Sequence, residues 1–318
     1  MTVAFFAKKS LAAGLSLASG HVRYVELERS GGELSVARSG EVELGPGIVD
    51  GEMIADVQAL EGKLEELKSY IGGHWGAPVS LSLPSRDVLL RIVEMPSLAP
   101  DEAKEALKWD FEKYFPFPYA EAVFDLSPVD LPGEPDVTTS RFLVAAARLR
   151  VVEGLMEVTK RVGIKVNAVE PSGVPLYRSF KGAHTESDII TGTMVVSVGS
   201  LSSQIIVGFG DNGIIYRTLL FGGRPKDGLD SSSGFVAVAR EVSSTFTYLA
   251  SQFREMRVDE IILCGDYGKE ELLKEELQKA TDTAVVVKDP WEIWNIRGAP
   301  ADRWGWETAL GLAVRDLS

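Results

Sequence analysis

The chain is poor in the residues that build metal and redox centres. Its 318 residues include one cysteine, Cys264, and three scattered histidines, His21, His74 and His184. A single thiol cannot close an internal disulfide, which fits a reducing compartment, and no His/Cys spacing matches a zinc site. Positive charge is also short. The chain has 33 Lys and Arg against 46 Asp and Glu, a net charge of −13. A surface of that sign repels phosphate backbones and anionic lipid, which disfavours nucleic-acid binding and direct membrane docking. Long apolar runs are missing too: each is broken by charge or glycine before the roughly 18 residues that a span needs. Lys8, Lys9 and the apolar run from Ser10 mimic a secretory leader. Gly14 and Ser16 interrupt that run and it leads straight into a strand pattern, so it reads as part of the fold. With 45% hydrophobic and 25% charged residues the composition is globular, and the length allows two or three core units.

Periodicity supplies the elements. Val22–Leu27 alternates with period two, Gly31-Gly32 turns, and Leu34–Leu44 alternates again, which predicts a hairpin. Val57, Leu60, Leu64, Leu67 and Ile71 recur at three and four, predicting an amphipathic helix ended by Gly72-Gly73. Strands are expected at Val79–Leu83 and Val88–Val93. A helix from Pro100 carries Ala103, Leu107, Phe111 and Tyr114 on one face. Strands at 123–131 and Phe142–Ala147, a helix at Val151–Val162 and a strand at Val166–Val169 complete the first half. A polar stretch at 181–191 marks a boundary. Beyond it come a strand from Met194 to Val198, a hairpin about Gly210, a long helix carrying Phe235 to Phe253, and strands at Glu260–Cys264 and Ala284–Val287. A helix between those two strands and a last one at Ala309–Leu317 complete the second half. The acidic and basic runs at 61–68 and 269–276 are solvated helix faces. Trp291, Trp294, Trp304 and Trp306 crowd one loop-rich segment, where they either cover apolar edges or form an interaction patch.

Two segments are alike. Leu15-Ser16-Leu17-Ala18-Ser19-Gly20 and Val196-Ser197-Val198-Gly199-Ser200-Leu201 each open a hairpin, and each heads one half of the chain. Such a pair points to a duplicated α/β fold with facing loops, whose small residues let backbone N–H groups converge as a phosphate requires. Two unrelated glycine turns would produce the same local pattern.

The chain resembles the type IV pilus assembly PilM family, within the actin/Hsp70-like ATPase fold. The resemblance rests chiefly on VSLSLPSRDVLLRIVEMPSLAPDEAKEALKWDFEKYFPFP over Val79–Pro118. Phe142–Arg148, Val169-Glu170-Pro171-Ser172, the tail Ala309–Ala313 and the opening Phe5–Lys9 match as well. It implies a duplicated actin-like (ribonuclease H-like) fold: domain I over 1–190, domain II over 191–318, and a last helix at 307–317 packing back on domain I. An inserted subdomain at about 85–168 is expected in the position of the insert of the cell-division protein FtsA. The family is cytosolic, peripheral to the inner membrane, and binds the short N-terminal peptide of the membrane protein PilN. The resemblance thus implies a scaffold of the pilus platform, or of a related type II secretion system, linked to the assembly motor ATPase and able to form homo-oligomers.

The same resemblance places a nucleotide cleft at Ser16, Ala18, Ser19, Gly20, Arg23, Ser197, Gly199, Ser200, Gly222, Gly223, Gly265 and Asp266. The family's phosphate loops carry aspartates where this chain has Ser16 and Ser197. Magnesium is held through carboxylates and water, and hydrolysis needs a group that orients the attacking water beside the metal, so no cofactor is expected; the alternative that the resemblance leaves open is ATP and Mg²⁺ bound without turnover. Asp266 adds negative charge, and Arg23 and Arg224 either offset it or make surface ion pairs. The reading is a scaffold without catalytic residues; its alternative is an active ATPase whose nucleotide state controls partner binding. A sugar kinase on the same fold needs an aspartate near the second loop, which Ser197–Gln204 does not offer. For the partner, Leu90, Trp109, Phe115 and Phe117 are the expected contacts. Phe111 and Tyr114 are expected in the core, and edge-strand addition is a second mode.

Overall fold

The computed structural model describes residues 10–18, 20–50, 53–129, 131, 138–181, 191–210, 212–223, 231–253 and 256–317. The first half runs β1 (Ser10–Ala18), β2 (His21–Ser30), β3 (Glu33–Glu43), two-residue strands β4 (Val49–Asp50) and β5 (Met53–Ile54), α1 (Val57–Tyr70), β6 (Val79–Leu83) and β7 (Val88–Pro96). It continues through α2 (Pro100–Tyr114), β8 (Ala122–Pro128), β9 (Thr139–Arg148), α3 (Leu149–Arg161), β10 (Val166–Pro171) and α4 (Gly173–Arg178). The second half runs β11 (Thr191–Val198), β12 (Ser203–Phe209), β13 (Asn212–Leu219), α5 (Ser231–Gln252), β14 (Arg257–Cys264), α6 (Glu271–Thr281), β15 (Ala284–Val287), α7 (Pro290–Ile293), β16 (Ile296–Arg297) and α8 (Glu307–Ala313). The apolar run from Ser10 forms β1. It is buried over most of its length and lies between β2, antiparallel, and β6, parallel.

Local chemistry explains the boundaries. The Asp56 carboxylate accepts from the Gln58 and Ala59 amides, each at 2.9 Å, and so starts α1. Leu60, Leu64 and Leu67 bury its inner stripe. Gly72 and Gly73, both at positive φ, end it, and Gly73 donates to Lys68 O at 2.8 Å. Pro100 opens α2, and Glu102 accepts from the Ala99 amide at 3.1 Å.

Two sheets repeat one strand order. The first reads β10-β6-β1-β2-β3-β16 and the second β13-β12-β11-β14-β15. Each is an antiparallel three-strand meander extended by two parallel strands, so the duplication inferred from the paired turns exists as a fold. β16 joins the outer edge of β3, and α8 lies across β1, β2 and β6. A Cβ on Gly14 would overlap the Ala309 carbonyl, and one on Gly311 would overlap that of Pro175. Glycine at these two places lets α8 approach the backbones of β1 and α4.

A three-stranded sheet, β7-β9-β8, stands apart with α2 on one face. It differs from the insert expected at 85–168. α3 packs against α1, its Leu155 and Val158 lie in the core of the first lobe, and β10 pairs with β6. The separate layer therefore ends near Arg148, because α3 and β10 supply the first lobe's own helix and strand. The boundary expected at 181–191 falls mostly on 182–190, outside the described residues. The aromatic tail of α2 also differs from expectation. Phe115 and Phe117 are 2% and 7% exposed, packed on Phe111 with ring centroids 4.7 and 5.9 Å away. They are core rather than contact surface, because the chain turns at Pro116 and folds both rings back onto the sheet. Tyr114 is half-buried at the margin of that core. The tryptophans mostly cover an apolar edge: Trp291 and Trp306 are buried with Val25, Leu27 and Leu310, and Trp294 donates to Ser179 O at 2.8 Å.

Candidate functional site: a closed cleft and an open groove

The hairpin turns of the two lobes face each other. In the first, Ser16 pairs in register with Arg23; in the second, Ser197 pairs with Gln204. Gly20, at φ +82°, turns the first hairpin, and Leu201 from the second packs over it. Ala18, Arg23, Ser197, Gly199, Gly265 and Asp266 meet around one cavity. Ser19 and Arg224 lie outside the described residues. Ser16 is buried but does not line the cavity. Gly222 and Gly223 form a layer behind it: Gly223 donates to Gly199 O at 2.9 Å, a Cβ on Gly222 would overlap that carbonyl and crowd Ser200, and the Tyr267 ring covers Gly223.

The cavity is nearly full. Its volume is about 20 Å³, whereas pockets for ligands of drug size are roughly 300–1,000 Å³. Arg23 fills the space. It is 5% exposed rather than a surface residue. Its Nε donates to Glu41, its Nη2 to Asp266 Oδ1 at 2.7 Å and its Nη1 to Gly305 O at 2.7 Å. Burial works against the guanidinium charge, but Asp266 and Glu41 outweigh it and hold the pKa above the ordinary arginine value. Glu307 closes the far side: its Oε1 accepts from the Gly265 amide at 3.0 Å and the Gly305 amide at 3.3 Å. Burial pushes the Glu307 carboxyl up, against the pull of its own amide and that of Gly265. Burial, then the Glu307 charge, pushes the neighbouring Cys264 thiol well up, with the Ser197 hydroxyl drawing it slightly back. Three carboxylates thus surround one guanidinium. A magnesium nucleotide does not fit this donor set: the volume is too small and the surplus charge is negative.

Glu41, Gly305 and Glu307 were missed in the sequence. The available signals were a lone acid heading the otherwise apolar segment 308–314 and a glycine between two tryptophans.

The other opening lies beside β7. Only β9 flanks this strand, so its second edge has no strand neighbour among the described residues. Leu89, Val93 and Met95 face α2, whereas Ile92 packs toward the second lobe. Leu90, on the Ile92 side, lines a groove of about 340 Å³ together with Met53, Arg86, Arg91, Ile206 and Tyr216. Trp109 is 90% exposed on the outer face of α2 and does not line this groove. The structure therefore separates Leu90 and Trp109, placing them on opposite sides of the small sheet.

The chain matches the sequence profile described as type IV pilus assembly protein PilM over residues 14–227. Among solved structures it is similar to one of the PilM–PilN type IV pilus biogenesis complex, with a TM-score of 0.78 at 21% identity over 96% of this chain and 98% of that one. The ethanolamine utilization protein EutJ from Carboxydothermus hydrogenoformans matches at TM-score 0.52 and 12% identity, over 96% and 89% of the two chains. A Bacteroides thetaiotaomicron protein described as having the actin-like ATPase fold matches at 0.50 and 11%, over 89% and 94%. At these identities the structural likenesses establish an actin-like fold. Among the described residues no helix is long and apolar enough to cross a membrane.

Proposed function

Since the chain belongs to the type IV pilus assembly protein PilM family, we propose that it is an actin-like scaffold on the cytoplasmic side of the pilus platform. In this reading it takes the N-terminal peptide of a PilN-like membrane protein and works without ATP hydrolysis. Attachment to the inner membrane then comes through that partner. The observation that carries the reading is the groove along β7, where apolar Leu90, Met53 and Ile206 adjoin an unpaired strand edge. An extended peptide gains main-chain hydrogen bonds along such an edge, and alternate side chains enter the groove. Arg86 and Arg91 at its wall favour a segment carrying acidic or polar residues beside apolar ones. The fold supports this use, because the small sheet is anchored by its own core around Phe111 and Phe142 and needs no partner to form.

Hydrogen exchange with and without a synthetic PilN-like N-terminal peptide tests it. The expected result is slowed exchange of the β7 amides on peptide addition. Protection confined to another surface, with β7 unchanged, rules the groove out.

A further inference from the structure

We propose that Arg23 is a built-in substitute for the nucleotide, a cation on the chain itself that holds the two lobes closed. Three segments converge on this one side chain. Glu41 comes from β3 of its own lobe, Asp266 from the turn after β14 of the other lobe, and the Gly305 carbonyl from the segment that leads into α8. Each guanidinium nitrogen therefore has an acceptor, and the planar fork suits this divergent set in a way that an ammonium would not.

The surroundings are shaped to this contact. Gly305 sits at φ +81°, and a Cβ there would overlap the Asp266 carboxylate and crowd Arg23. Glu307 ties the Gly265 and Gly305 amides together, so Gly305, itself an Arg23 acceptor, and Gly265, the neighbour of Asp266, are both fixed. Nothing of nucleotide size fits the remaining 20 Å³, and a polyanion entering it would meet Asp266, Glu41 and Glu307. An actin-like cleft closed by a ligand opens when the ligand leaves; a cleft closed by its own arginine has no such dependence. The closed arrangement is constitutive, whether or not the groove along β7 takes a peptide.

The test uses the full chain, with magnesium–ATP as probe. If the wild-type melting temperature stays within about 1 °C at about 2 mM magnesium–ATP, no ligand linkage operates at the cleft. Arg23→Ala is expected to enlarge the radius of gyration in X-ray scattering. It should also speed limited proteolysis by about tenfold or more, because proteolysis follows the open population. Asp266→Asn, which keeps the side-chain shape and removes the charge, gives the same two changes in smaller measure and serves if the alanine variant does not fold. A rise of the wild-type midpoint by about 3 °C or more with magnesium–ATP overturns the proposal. So does scattering and proteolysis of Asp266→Asn identical to wild type.

Discussion

The two openings between the lobes differ in what fills them. In the cleft, Arg23 meets three acceptors and about 20 Å³ remains. In the groove along β7, apolar side chains and a backbone edge stand without a neighbouring strand, and about 340 Å³ remains. In the cleft every guanidinium nitrogen of Arg23 has an acceptor, although Asp266 Oδ2 is buried without a partner; in the groove the second edge of β7 has no strand neighbour among the described residues. A ligand entering the cleft must first replace the three contacts of the Arg23 guanidinium, whereas a peptide at the β7 edge breaks no strand pairing. Within this actin-like fold, the contact between the facing turns is a charged joint, and the flank of the small sheet is the roomier opening.

The comparison breaks most forcefully at Gly305. Gly305→Ala forces a Cβ against Asp266 and Arg23 at a positive φ. It is expected to cost about 3–5 kcal/mol in urea denaturation, the range for splitting a buried ion pair, while peptide affinity stays within about twofold. Leu90→Asp should act in the opposite sense. PilN-like peptide affinity, read by fluorescence anisotropy, is expected to fall at least tenfold, about 1.4 kcal/mol, with the denaturation midpoint little changed because Leu90 is only half-buried. Equal stability losses in both variants would show that the two openings are a single unit.

Glu307→Gln sharpens the comparison through pH. Burial raises the carboxyl pKa in the fold, so the folded chain keeps a proton that the unfolded chain has released. That contribution is full below the ordinary glutamate pKa and is lost as pH rises through the raised value. Glutamine retains the acceptor for Gly265 and Gly305 and does not titrate. The stability of the variant relative to wild type should therefore increase with pH across that window, measured by denaturation at a series of pH values. A constant difference would place Glu307 in an environment as wet as the surface. The smallest effect is expected at Trp109. Trp109→Ala, on the far side of the small sheet, should change stability by under about 0.5 kcal/mol and leave affinity for the groove peptide unaltered. A tenfold loss there would transfer the partner surface to α2.

Local rules reached part of this molecule. The β2–β3 and β12–β13 hairpins are legible because alternation and glycine turns are short-range signals, and α1 because Leu60, Leu64 and Leu67 keep helical spacing. Phe115 and Phe117 were misjudged because they follow the end of α2, where helical period no longer tells which way a ring points. The extent of the small sheet's layer was misjudged because it depends on β10 pairing with β6, Pro171 opposite Leu83, which no window of sequence contains. Arg23 was recognised as charge near the phosphate loops, but its role depends on acceptors 243 and 282 positions away. The short elements α4, α7 and β16 escaped entirely; β16 has two residues and exists only because β3 offers an edge.

The docking of α8 on β1 carries one more consequence. Gly14 and Ala309 touch across nearly the whole chain, so the apolar outer face of the opening hairpin stays bare throughout translation. At ordinary elongation rates the ribosome takes roughly 15–60 s to release the segment that covers it. A nascent chain of this design spends that interval with Val25 and Leu27 uncovered, and a product that ends before Glu307 never conceals them under α8.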